Sequence, residues 1–166
     1  MAVRLSGDFD RLERLIARAG RIASDSFRRE LLWNIAHEVN RQIGDEFRLG
    51  QDPNGKPWQP LRSRPGGRPL VKSGKLQRAA QSAVPTPTGV MVQIDLVQAA
   101  TQNYGARIRA KNVKALRFRV GRRWVFAKSV TIPARPFLPE GDLPQRWRDG
   151  IAVVVTTSLS RTLRGV

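Results

Sequence analysis

The apolar positions of this chain fall into blocks of different period. Phe27, Leu31, Ile35, Val39, Ile43 and Phe47 recur every four residues, with Leu32 and Ala36 widening the stripe. That spacing predicts a long amphipathic helix with one buried face. Ser24 and Asp25 stand just before it, where a side-chain oxygen can accept from a free N–H of the first turn. Arg28, Arg29, Glu38, Arg41 and Asp45 fall mainly off the stripe. Upstream, Phe9, Leu12, Leu15 and Ile16 are spaced for one face of a shorter helix. It would open at Ser6, Asp8 or Asp10 and close near Gly20.

The helical period is lost over residues 49–74. This stretch is dense in Gly and Pro, which argues against both a long helix and a central strand. Trp58, Leu61 and Leu70 punctuate it and are expected to pin the loop to the body. Ser73 is placed to cap a short helix over residues 75–82, and PTPTG (85–89) reads as a turn. Alternation returns over residues 90–96, with Val90, Val92 and Ile94 on one side of a strand. Residues 98–104 are read as a short helix. Leu116–Val120 and residues 124–130 flank GRR (121–123) and predict a β-hairpin. A Pro-rich extended segment follows, and then a last helix over residues 143–163. Its apolar side carries Trp147, Ile151, Val154, Val155 and Leu159, despite a Val and Thr content that disfavours helix. The expected fold class is therefore α+β: a small antiparallel sheet with a β-hairpin, packed against a long N-terminal helix and a C-terminal helix. A chain of 166 residues suits a single domain. Its expected parts are a helical stretch (1–48), the Gly/Pro-rich loop (49–74), a sheet-containing part (75–139) and a C-terminal helix (140–166).

Charge changes this picture more than any motif does. The net charge is +17. Residues 1–52 hold 9 Arg and 9 acids, and residues 140–166 hold 4 Arg and 3 acids. Residues 53–139 hold 17 Lys or Arg and a single acid, Asp95. The excess thus lies in the middle of the chain, where it attracts DNA or acidic protein surfaces. Arg117, Arg119, Arg122 and Arg123 lie on and around the expected hairpin tip. Three roles stay open for them: contact with a neighbouring acidic subunit, contact with DNA passing through a channel, or a solvated surface. No helix-turn-helix, zinc finger or aromatic-basic single-strand platform is visible.

Other chemistry is scarce. There is no Cys and one His, which excludes disulfides, thiolate metal sites and Cys nucleophiles. GQDPNGK (50–56) has the spacing of a phosphate-binding loop, but Pro57 stands where Ser or Thr is needed, and the string follows a helix. HEVNR (37–41) opens like a zinc-protease helix, but Arg41 occupies the place of the second His. With Asp95 as the one carboxylate of the basic middle, an acid–base pair is hard to assemble there. The expectation is a protein without catalytic activity, metal or cofactor. A nuclease or wall hydrolase would need a metal or an acid pair, the latter with carboxylates brought together from the two chain ends. The start lacks the apolar run of a signal peptide, and no stretch approaches the roughly 18 apolar residues of a membrane span. Synthesis in a reducing cytosol, with no membrane partner, is expected, and a secreted toxin is disfavoured.

Four short strings occur in a set order: FRLGQDPNGKPWQPL (47–61), PLVKSGKL (69–76), ATQNYG (100–105) and TIPARPFLP (131–139). Together they resemble the signature of the phage virion morphogenesis family, the tail-completion proteins of Mu-like prophages. The resemblance spans roughly residues 27–160. It departs at ATQNYG, where the family's usual His is replaced by Gln102 or its neighbour. The resemblance implies a non-enzymatic virion protein, made in the host cytoplasm, that finishes the tail or joins it to the head. It also implies a ring-shaped homo-oligomer, commonly sixfold, against the tail tube and head–tail connector. Tail completion, tail terminator and neck roles all stay open. Within these strings, Trp58, Arg135, Phe137 and Leu138 are candidate interface residues beside the four hairpin arginines. Arg135, held between prolines, can pair with a carboxylate on its own or a neighbouring subunit. For Trp58 and the IPARPFLP string the alternative is a place in the subunit's own core. The loop over residues 60–70 is expected to order on assembly.

Overall fold

The computed structural model describes residues 2–3, 24–111 and 113–164; the expected first helix lies outside these described residues. The central element is α1, Asp25–Leu49. Ser24 caps it: its Oγ accepts from the Phe27 N–H at 3.4 Å, and Asp25 sits in the positive first turn. Gly50 ends it in the left-handed conformation (φ 72°), its N–H returning to the Glu46 carbonyl at 2.8 Å. All six residues of the four-residue repeat are buried, as are Leu32 and Ala36. Two polar residues, Gln42 and Glu46, share that buried face.

The long loop is tied down at several points. The Asp52 carboxylate accepts from the backbone N–H groups of Asn54 and Lys56, forming a tight Asx-type turn. Arg68 donates to the Phe47 and Arg48 carbonyls, both at 2.9 Å, and so satisfies free acceptors at the end of α1. The short helix α2 is Lys75–Ala80. Its N-cap is Gly74, and no side chain caps it; Ser73 Oγ reaches only the Lys75 N–H, at 3.5 Å.

The strands fall into three antiparallel pieces. In the first, β1 (Ala2–Val3), β2 (Ala83–Thr86) and β3 (Gly89–Gln93) run in the order β1-β3-β2. Thr86 faces Gly89 across a tight connection, so PTPTG is strand as well as turn. Pro85 is accommodated because β2 is an edge strand. Asn40 of α1 clamps that strand: its amide oxygen accepts from Ala83 N–H at 2.8 Å and its NH2 donates to the Ala83 carbonyl at 3.2 Å. Helix α3, Val97–Tyr104, leads into β4, Ala106–Arg109. The hairpin is β5 (Leu116–Val120) with β6 (Arg123–Ala127). The expected strand over 124–130 divides near Lys128. Its second half, β7 (Ser129–Ile132), leaves the hairpin and pairs with β4.

Helix α4, Gln145–Arg164, packs against α1, which also packs against β2 and β3. Trp147, Ile151 and Val155 are buried on it. The α+β class is as expected. One sheet was expected where three small pieces stand, because β6 and β7 change partners within one extended run.

Candidate functional site

The string TIPARPFLP forms a buried strap, held by the strings FRLGQDPNGKPWQPL and ATQNYG. Trp58 Nε1–H donates to the Pro136 carbonyl at 2.7 Å. The Trp58 ring meets Phe47 edge-on (5.3 Å between centroids), and Phe47 meets Phe137 at 5.6 Å. Arg135 is 4% exposed. Its Nε donates to the Gln59 carbonyl at 2.8 Å and its Nη2 to the Pro60 carbonyl at 3.2 Å. The guanidinium fork thus engages two consecutive backbone carbonyls and, among the described residues, no carboxylate. Burial draws its pKa below the ordinary arginine value.

From the other side, the Asn103 amide oxygen accepts from Phe137 N–H (3.0 Å) and Leu138 N–H (3.3 Å), and its NH2 donates to Glu140 at 3.2 Å. The Gln102 carbonyl accepts from Arg135 N–H at 2.8 Å. Gly105 follows with φ 74°, and a Cβ there would stand 2.8 Å from Ala134 N and 2.9 Å from the Ile132 carbonyl oxygen. Only glycine lets these two backbones approach so closely. The role of Asn103 was not legible in the sequence; the polar residue of ATQNYG that faces inward is set by the turn of α3. Trp58, Arg135, Phe137 and Leu138 are therefore inside the subunit, at 6% exposure or less. They serve its own packing, and none is presented at the surface.

A second buried polar group lies between α1 and α4. Glu46 Oε1 accepts from Trp147 Nε1–H at 2.7 Å. Glu46 Oε2 and Gln42 Oε1 are both buried without a donor among the described residues. Burial pushes the Glu46 carboxyl up to about 8, against the opposing pull of the Trp147 hydrogen bond and the Arg146 charge. A neutral Glu46 has a proton to donate, and Gln42, four residues earlier, is one turn away on the same helix side. At the rim, Asp45 receives Arg41 (2.8 Å), Arg48 (3.0 Å) and, from α4, Arg146 (3.2 Å). The Arg48 hydrogen bond leads in holding Asp45 below the usual carboxylate range.

The exposed surface is of another kind. A cleft of about 840 Å³ runs between the long loop and the hairpin, lined by Arg64, Lys72, Lys75 and Arg119 among others. Its ionisable side chains are all cationic, so it holds no acid–base pair. Lys56 of the GQDPNGK string is exposed, and His37 lies exposed on α1 with its ring 6.2 Å from that of Trp33. Among the described residues no three His, Cys, Asp or Glu converge as a metal site. No helix among them is long and apolar enough to cross a membrane.

In the hairpin, Arg119 pairs across the strands with Trp124, and Arg117 with Phe126. These four side chains share one face. The Arg117 guanidinium carbon lies 3.9 Å from the centroid of Trp124, and that of Arg119 lies 5.6 Å away. Trp124 is 53% exposed and Phe126 65%. Trp124 and Phe126 meet the arginines across the strand register, a grouping that the sequence reading did not single out.

The sequence profile of the phage virion morphogenesis family matches residues 8–157. The chain belongs to that family. The match takes in the residues of all four strings, those that hold the strap included. No curated protein and no solved structure matches the chain.

Proposed function

We propose that this protein is a non-enzymatic structural subunit of a tailed bacteriophage, which completes the tail or joins it to the head by packing against other subunits in a ring. The observation that carries this is the family match over residues 8–157. The interior supports it: residues of two of the other strings, Trp58, Gln59 and Pro60 in one and Gln102 and Asn103 in the other, are spent on holding the strap. A rigid body that meets its neighbours without rearranging loses little entropy on assembly. Trp33 on α1 and Val153 on α4 are 50% and 63% exposed. Val153 lines a groove between those helices, with Asn34, His37 and Val154. This side, apolar and polar in alternation, suits a subunit contact.

The test is to disrupt the gene in a phage-producing host and image the particles. Heads and tails that accumulate unjoined, or tails of uncontrolled end structure, are expected. Normal infectious particles in normal number would overturn the proposal. Mass measurement and negative-stain imaging of the purified protein address the ring: a closed ring with a fixed copy number is expected.

A further inference from the structure

Every exposed cation has an ordinary use as a solvated surface group, so the hairpin region must show more than charge. Arg107, Arg109, Lys111, Lys114, Arg117, Arg119, Arg122, Arg123 and Lys128 are all exposed. None of the nine takes part in an ion pair among the described residues. Residues 96–139 contain no Asp or Glu at all, so no acid nearby in the chain neutralises them. Into this field the register places two exposed aromatic rings, each directly opposite an arginine. Neither hairpin strand pairs with any other described strand, so the outer edges of the ribbon carry no neighbouring described strand. The tip is steadied by the Gly121 N–H on the Ser63 carbonyl at 3.0 Å.

We propose that the β5–β6 ribbon is a binding site for single-stranded nucleic acid, with Arg117, Arg119, Arg122 and Arg123 on the phosphates and Trp124 and Phe126 stacked on bases. Phosphate supplies negative charge at regular spacing, which a one-signed ribbon needs. Bases supply flat apolar faces, which exposed rings beside guanidinium groups accept without regard to sequence. An acidic protein surface would satisfy the arginines but would not require two rings in one row. A single strand is favoured over duplex because the rings reach bases only when these are unstacked. This inference does not depend on the assembly role.

The experiment measures binding of the full-length protein to fluorescent dT20, against a 20-base-pair duplex and poly-L-glutamate of similar length, over a series of salt concentrations. The dT20 strand is expected to bind tightest at equal ionic strength and to quench tryptophan fluorescence. Trp124→Ala is expected to weaken dT20 about five-fold or more and to remove most of that quenching. Replacing the four hairpin arginines with Ser should lower the salt slope by roughly 3, at about 0.7 per phosphate contact. Replacing exposed Arg29, Arg148, Arg161 and Arg164 with Ser is the charge-matched control and should change the slope little. Circular dichroism melts confirm that each variant is folded. Equal loss in the control, unchanged dT20 affinity in Trp124→Ala, or binding of duplex or poly-L-glutamate as tight as dT20 would overturn the proposal.

Discussion

The strap and the hairpin use the same residue types in opposite ways. Both contain Arg next to aromatic side chains. In the strap, Arg135 is buried, and each hydrogen bond it makes goes to a backbone carbonyl of its own subunit. Its neighbours Trp58, Phe137 and Phe47 are buried with it. In the hairpin, Arg117 and Arg119 stack on Trp124 and leave it half exposed. Burying a guanidinium costs desolvation that only complete hydrogen bonding offsets, so the strap has one geometry and little tolerance. An exposed guanidinium keeps its hydration and is free to exchange water for a partner. The first region makes the subunit rigid, and the second keeps its contacts available.

This contrast can be broken by measurement. Phe47→Ala removes the ring shared by Trp58 and Phe137 and should cost about 3–5 kcal/mol in denaturant unfolding. Next in size is the Glu46 carboxyl, raised from 4.5 to about 8 in the folded state. The folded protein then holds a proton that the unfolded chain has released. This group's contribution is fully present below about pH 4.5 and is lost as pH rises through about 8. The loss should be on the order of 5 kcal/mol at most, at about 1.4 kcal/mol per pH unit. Glu46→Gln, which mimics the neutral acid, should flatten that slope between pH 5 and 8.5; an unchanged slope would assign it elsewhere. Gly105→Ala, with its Cβ against the strap backbone and φ positive, should cost about 2–3 kcal/mol by the same denaturant measurement. At the other extreme, Trp124→Ala and Arg117→Ser should move stability by less than about 0.5 kcal/mol. A large destabilisation there would mean that the hairpin rings belong to the core, and the contrast would fail.

Hydrogen exchange sharpens the same contrast for the loop. Residues 60–70 should gain protection when the subunit assembles, while the Arg68-anchored end of α1 should not change. Equal protection of the loop in free and assembled protein would show that it is ordered beforehand.

The sequence by itself determined the long helix, its cap at Ser24 and its stop near Gly50, because an apolar repeat of four and a capping oxygen act within a few residues of chain. It also determined the hairpin tip, the last helix and the family, whose four strings are local. Three things were decided only in the tertiary structure. β7 leaves β6 for β4, a choice between pairing partners that no single strand encodes. Arg135 and Trp58 turn inward, since the carbonyls that receive them lie about 75 residues away in the chain. Glu46 and Gln42 lie on the apolar face of α1 and are sheltered from water where α4 covers it, and their polar character concealed this in the sequence. Local periodicity fixes what a segment is; which polar atoms are sheltered from water depends on what folds back over them.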